Sequence, residues 1–134
     1  MILAIRNRAE SLRETLEALA QQETAGQVIY EVLVVDNAFN GSTRPLVTAL
    51  QGTFPVPLHD CHERRVGQPW ALNAGLQQAQ GRFFAFTDDD ILPPASWLWT
   101  LRQCFQETPE CSVCWFRLAD PNVATEFSPC YGVN

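Results

Sequence analysis

The sequence predicts an α/β fold with a mostly parallel sheet and helices on both faces. Two observations carry that reading. Short apolar runs rich in β-branched and aromatic residues alternate with stretches whose leucines recur at helical spacing, the pattern of βαβ units. Two of those runs also end abruptly in acids, at Val34-Val35-Asp36 and at Phe86-Thr87-Asp88-Asp89-Asp90. In open α/β sheets ligands bind outside the carboxyl ends of the strands, so both acidic positions would open on one edge.

In chain order, Ile2 to Ile5 reads as the first strand. Asn7 stands three residues before Glu10, an arrangement resembling a capping box, and Leu12, Leu16 and Leu19 follow on one helical face. The spacing predicts a helix over residues 8–22, ended by Gly26. Val28 to Val35 is the second strand, apolar enough to be buried on both faces. A turn-rich loop leads to a short helix with Pro45 in its first turn and Leu46 and Leu50 inward. Phe54 to Leu58 reads as a weak edge strand, because Pro55 and Pro57 cannot donate to a ladder. A polar segment, residues 60–68, follows. Pro69 opens a third helix with Leu72, Leu76 and Ala79 on one face. Phe83 to Thr87 is the next strand, expected to be buried. Pro94 opens a fourth helix with Leu98, Leu101 and Phe105 inward, and Cys111 to Leu118 is a final strand. No repeat, linker or low-complexity segment interrupts this order.

At 134 residues the chain is long enough for one domain with a proper core. Its net charge of −6 argues against a general nucleic-acid binder, which would carry a basic face. It contains no lysine, and all nine cations are arginine. That excludes a P-loop and Schiff-base chemistry, which need the amine, and disfavours a phosphoacceptor receiver domain. Arginine still handles phosphate through its planar fork. Of five cysteines, Cys111 and Cys114 form a lone C-x-x-C with no second ligand pair, so buried thiols in a reducing compartment are expected. No signal peptide or membrane-length apolar segment is visible.

The acidic triplet needs an explanation. Two unit charges about 6 Å apart at an effective dielectric of about 20 repel by roughly 3 kcal/mol. A divalent cation preferring hard oxygen ligands would offset that cost. The alternative is a solvated turn in which one aspartate caps the helix announced by Pro93 and Pro94. Asp36 has a similar pair of readings, a contact to a ribose hydroxyl or base, or an Asx-turn residue closing its loop.

Taken together these segments resemble the family 2 (GT-A type) glycosyltransferases. Asn7-Arg8-Ala9-Glu10-Ser11-Leu12 is similar to that family's first loop and helix. Val34-Val35-Asp36-Asn37 with Gly41-Ser42-Thr43 is similar to its nucleotide-binding strand and turn. Gly67, Ala71-Leu72-Asn73-Ala74-Gly75-Leu76 and Ala79-Gln80-Gly81 resemble its glycine-rich central helix. Phe86-Thr87-Asp88-Asp89-Asp90 with Pro94 and Trp97-Leu98 resembles its D-x-D metal motif and following helix. Order and spacing agree from about residue 2 to residue 118.

The resemblance implies a GT-A (Rossmann-like) fold and a nucleotide-diphosphate sugar donor, a UDP-sugar being the first expectation. It implies a Mn²⁺ or Mg²⁺ cofactor held by Asp88 and Asp90, with Asp90 the direct ligand. Asp36 would contact the base or ribose, and Arg64 or Arg65 a phosphate. Gly67 and Asn73 would shape the wall beside the donor, and Asn7, Asp88 and Asp89 complete the nucleotide-sugar set. Gly75 is read as a packing glycine. The implied reaction is metal-dependent, inverting transfer of the sugar to an acceptor hydroxyl on a glycan, lipid or protein.

Departures from the family pattern sharpen the expectation. Ile5 and Arg6 stand where an aromatic that could stack on the base is usual, and Leu72 where arginine is common. The acceptor half is missing, and Asp120 and Glu126, the acids beyond the last strand, match no motif for a general base. Residues 1–118 are therefore expected to be the donor-binding half, truncated at the C-terminal side, with 119–134 an irregular start of the acceptor half. A homo-oligomer or partner chain would cover the exposed side. Cytoplasmic residence is expected, with the inner face of the membrane as a peripheral site. The rival readings are a non-catalytic nucleotide-sugar or metal-binding module, and a nucleotidyltransferase. The latter would want a glycine-rich loop, where Arg6-Asn7-Arg8-Ala9 has no glycine.

Overall fold

The computed structural model describes residues 1–38 and 41–107. Its elements are β1 (Ile2–Ile5), α1 (Ala9–Ala20), β2 (Val32–Asp36), α2 (Arg44–Gln51), β3 (Leu58–His62), α3 (Gln68–Gln78), β4 (Phe86–Asp88) and α4 (Trp97–Glu107). The four strands form one sheet in the order β3-β2-β1-β4, and every pair is parallel. The anticipated strand Cys111–Leu118, the tail 119–134 and Cys111, Cys114 and Cys130 lie outside the described residues. The molecule divides into two compact units. One comprises Met1–Gln21 with Ile29–Leu92, and the other Gln22–Val28 with the chain from Pro93 onward.

The sheet of the first unit is buried because its strands alternate two apolar faces. Ile2, Leu33, Val35 and Cys61 pack with Ala71 of α3 on one face. Leu3, Ile5, Val32 and Val34 take the other, and all four are buried. Right-handed crossovers place α1 and α2 on that second face, since both connect strands in the direction from β1 to β3, and α3 on the first. Leu12, Leu16 and Leu19 of α1 and Val47 of α2 supply the apolar cover and are fully buried. Each such side chain contributes roughly 1.5–3 kcal/mol by leaving water.

The bounds of β1 and the fold class agree with the sequence; several details differ for definite reasons. β2 starts at Val32, not Val28: its first ladder bonds run from Val32 N to Pro57 O and from Leu33 N to Met1 O. Ile29, outside that ladder, is 99% exposed. Asn7 does not cap α1: its φ is 60° and the residue at the cap is Arg8, with no side-chain cap bond. Asparagine tolerates that left-handed backbone better than most residues. β3 runs Leu58–His62, later than Phe54–Leu58, because the prolines before it cannot donate, although Pro57 O accepts from Val32 N. β4 is only Phe86–Asp88, and Phe83, Phe84 and Phe86 are exposed, since β4 is an edge strand among the described residues. On α2 the buried residue is Val47, where Leu46 and Leu50 were expected.

On α3 the inner face is Ala71 and Gly75; Leu76 is exposed. Gly75 is there because nothing larger fits. A Cβ on it would lie 2.5 Å from Ile2 Cγ2 and 3.2 Å from Val35 Cγ2. In the second unit, Gln22 bridges to the start of α4. Its Nε2 donates to Pro94 O (2.9 Å), and its Oε1 accepts from Leu98 N (3.0 Å). Trp97, Leu98 and Cys104 are the buried residues of α4.

Gly75→Ala is expected to lower stability. Overpacking against Ile2 costs about 1–3 kcal/mol and outweighs the gain of about 1 kcal/mol in helix propensity. Urea denaturation measures the difference; a stabilised variant would contradict the close contact.

Candidate functional site

The parallel register fixes which side chains reach the carboxyl edge. Ile5 is level with Asp36, and Asp36 with His62, while Asp88 is level with Ala4. β2 and β4 flank β1, so Asp36 and Asp88 stand on one edge two strand spacings apart, about 10 Å. The expected convergence of the two acidic segments on a single rim is what the backbone gives.

Asp36 itself is buried, and its carboxylate is engaged by its own loop. Oδ1 accepts from Ala38 N (2.8 Å), an Asx turn, while Oδ2 accepts from Thr43 N (2.9 Å) and Thr43 Oγ1 (2.8 Å). Three of about four lone-pair positions are therefore used inside the protein. Of its two sequence readings, the turn-closing one describes these contacts.

Asn37, to which the sequence reading gave no role, organises this edge. Its Nδ2 donates to Glu63 O (2.9 Å) and Arg65 O (2.7 Å), and its Oδ1 accepts from Gly67 N (2.7 Å). One buried amide thus ties the segment between β3 and α3 to the end of β2. Gly67, with φ 135°, turns the chain into α3 in a conformation that favours glycine. The signal for Asn37 was adjacency to Asp36 at a strand end.

Arg65 is placed beside this clamp. Its Nε and Nη2 form a fork on the Glu63 carboxylate at 3.0 and 2.8 Å, and its guanidinium lies 4.2 Å from the Trp70 ring centre. The Arg65 side-chain and backbone donors hold the Glu63 carboxyl down at about 2. Arg64 is exposed. Asn73 is exposed on α3, one and a half turns beyond the helix start.

The triplet is stitched to three elements. Gln68 Nε2 donates to Asp88 Oδ1 (3.2 Å), and Thr15 Oγ1 donates to Asp89 O (2.9 Å). Arg8 Nη1 lies 3.0 Å from Asp90 Oδ2 and 3.6 Å from Asp89 Oδ1. Arg8, absent from the expected site residues, thereby supplies part of the charge compensation that the sequence suggested for a cation. Burial pushes the Asp89 carboxyl up, with Arg8 opposing. Asp89 Oδ2 is buried without a hydrogen-bond partner among the described residues.

Could this edge hold a divalent ion? No cluster of three His, Cys, Asp or Glu side chains suited to a metal exists among the described residues. A magnesium-like ion is commonly held by one or two carboxylates plus substrate phosphates, which does not need such a cluster. Asp88 and Asp90 are hard oxygen donors exposed on either side of the buried, partly orphaned Asp89, and so fit that partial shell.

Comparison with known proteins gives the class. The sequence matches the family described as Glycosyl transferase family 2 over residues 1–130, and the chain belongs to that family. It is 31% identical over 98 residues to the glycosyltransferase AglE of Haloferax volcanii, covering 73% of this chain and 32% of that protein. It is 31% identical over 106 residues to the succinoglycan biosynthesis protein ExoM of Rhizobium meliloti, covering 79% of this chain and 34% of that one. The fold matches S. aureus TarS 1–349 with a TM-score of 0.69 at 24% identity, over 81% of this chain and 32% of that one. It also matches the mannosyltransferase PcManGT from Pyrobaculum calidifontis, solved with GDP-Man and Mn²⁺. There the TM-score is 0.68 at 29% identity, over 87% of this chain and 34% of that one. The chain spans about a third of the length of the curated relatives it matches. No helix among the described residues is long and apolar enough to cross a membrane.

Two outcomes follow. Asn37→Ala leaves two carbonyls and one N–H without their partner and is expected to cost about 1–3 kcal/mol, read by chemical denaturation. Glu63, whose folded value lies below its ordinary 4.5, stabilises the fold above pH 4.5 and loses that contribution as pH falls toward 2. Glu63→Gln should flatten thermal stability across that window, by a margin that shrinks in high salt. An unchanged acid limb would remove the Arg65 pairing from the account.

Proposed function

We propose that this chain is the donor-binding part of a metal-dependent, inverting glycosyltransferase that takes its sugar from a nucleotide diphosphate. The observation that carries the reading is the shared carboxyl edge on which the Asp36 turn and the Asp88–Asp90 triplet flank β1. Family membership supports it, as does the likeness to a mannosyltransferase solved with GDP-Man and Mn²⁺. A UDP-sugar is the first donor to test and GDP-mannose the second.

Asp36 borders the nucleoside mainly through the turn it holds, whose backbone would face the base and ribose. Gly67 and Asn73 form the adjoining wall, and Asn7 stands at the end of β1 on the same edge. Asp88 and Asp90 hold Mn²⁺ or Mg²⁺, and Asp89 lies behind them against the sugar. When bound, the ion stabilises the negative charge that develops on the departing diphosphate. Arg64 reaches phosphate directly from its exposed position, and Arg65 does so by exchanging its fork from Glu63 to the anion. Inversion requires the acceptor hydroxyl, on a glycan, lipid or protein, to attack the anomeric carbon opposite the leaving group. A carboxylate must take its proton, and no described residue is assigned that role; Asp120 and Glu126 lie outside the described residues. Residues 1–118 would form the donor half. The acceptor side would come from outside residues 1–118, supplied by more of the same protein, a partner chain or a second copy, with the cytoplasm as the proposed compartment.

Calorimetric titration with UDP, with and without Mn²⁺, tests the assignment. Asp90→Asn is expected to abolish the Mn²⁺-dependent gain in affinity. Asp36→Ala should weaken UDP about tenfold or more in both conditions, because the turn loses three charge-assisted hydrogen bonds. Metal-dependent binding without transfer would identify a non-catalytic module. Unchanged affinity in both variants would overturn the roles given.

A further inference from the structure

Away from the carboxylate edge lies a polar cavity of about 470 Å³, along the outer strand β3. β3 is three strand spacings from β4, roughly 14 Å, so this cavity is separate from the acidic triplet. Its walls come from α2 (Arg44, Thr48, Gln51), from β2 and β3 (Leu33, His59, Asp60) and from the end of α3 and beyond (Gln78, Gln80). The volume is within the range of small-molecule sites, about 300–1,000 Å³.

The atoms left available there are unusual in their balance. The Asp60 side chain is only 9% exposed, and its Oδ2 accepts from Arg44 Nε at 3.0 Å. Its Oδ1 is buried with no hydrogen-bond partner among the described residues, a costly arrangement for a carboxylate oxygen. Gln51 spends its Nε2 on Leu58 O (3.0 Å) and Gln78 its Nε2 on Cys61 Sγ (2.7 Å), which leaves both amide oxygens as acceptors. Arg44 keeps its terminal Nη groups, Thr48 its hydroxyl and Gln80 its side-chain amide as donors. Acceptors and donors are therefore interleaved, the Arg44–Asp60 pair is neutral overall, and the His59 ring, with Nε2 3.5 Å from Glu31 Oε2, adds nitrogens that can donate or accept. An anion would find a carboxylate opposing it. A metal would find no three suitable ligands among the described residues. An apolar ligand would leave the lining unsatisfied. Groups that both donate and accept at short spacing are hydroxyls, carried several to a ring by sugars.

We propose that the β3 cavity binds a neutral saccharide, with a hydroxyl donating to Asp60 Oδ1, at a site distinct from that of the nucleotide donor. The site stands whether or not the donor reading above is right.

The test is titration of the isotope-labelled chain with glucose, galactose, mannose, N-acetylglucosamine and cellobiose at millimolar concentration, followed by amide chemical shifts. At least one sugar is expected to move the side-chain amides of Gln51, Gln78 and Gln80, with saturation, and equally in the presence of UDP. Asp60→Asn should weaken that sugar about tenfold. Gln80→Ala, which leaves the core untouched, should weaken it severalfold and guards against a misfolded Asp60 variant. The proposal is overturned if no sugar moves these amides, if both variants bind as the parent does, or if UDP displaces the sugar. It is equally overturned if only an extended peptide moves them, which would mark strand addition to the β3 edge.

Discussion

The three hydrogen bonds accepted by the buried Asp36 carboxylate hold the carboxyl edge of the sheet together. They fix the β2–α2 turn at Ala38 and Thr43. With the end of β2 fixed, Asn37 can reach Glu63, Arg65 and Gly67, and so sets where α3 begins. From there Gln68 meets Asp88. A chain of contacts thus runs from the second strand to the fourth without passing through β1, the strand between them. The links made by Asp36 and Asn37 use buried or backbone groups and are costly to leave unmade, while the last, from Gln68 to Asp88, is exposed and weaker.

The second organising constraint is repulsion within the triplet. Its members are held by contacts from three parts of the chain: Thr15 on α1, Arg8 before α1 and Gln68 on α3. Asp89 bears the cost of burial, visible in its raised carboxyl and orphaned Oδ2. Local conflict of this kind concentrates at functional sites, where a sequence departs from what stability alone would choose.

Much of this was legible in the sequence. The bounds of β1 and the common edge for Asp36 and Asp88 follow from periodicity and from the rule for parallel sheets, and the packing role of Gly75 from the resemblance of its helix to the family's central one. The start of β2 was not legible, because Val28-Ile29-Tyr30 is as apolar as the strand itself. The inner face of α3 was legible in part: Leu72 and Ala79 pack against the core as expected, but Leu76 is exposed and the most deeply buried positions were missed. Leucines mark a helix face when the neighbour is distant, but close approach to Ile2 and Val35 requires small residues, so Ala71 and Gly75 lie inward. Arg8 escaped because its partner is 82 positions away along the chain. Asn37 escaped because its work is done on backbone atoms, which carry no residue signature.

Arg8 meets Asp90 from the loop before α1, and both groups are exposed. A pair in that position is screened by salt and is worth no more than about 1 kcal/mol. It is therefore easily exchanged: on the donor-binding reading proposed above, a doubly charged ion would meet only a weak competitor at Asp90, and the displaced guanidinium would have the incoming phosphates as a new counter-charge.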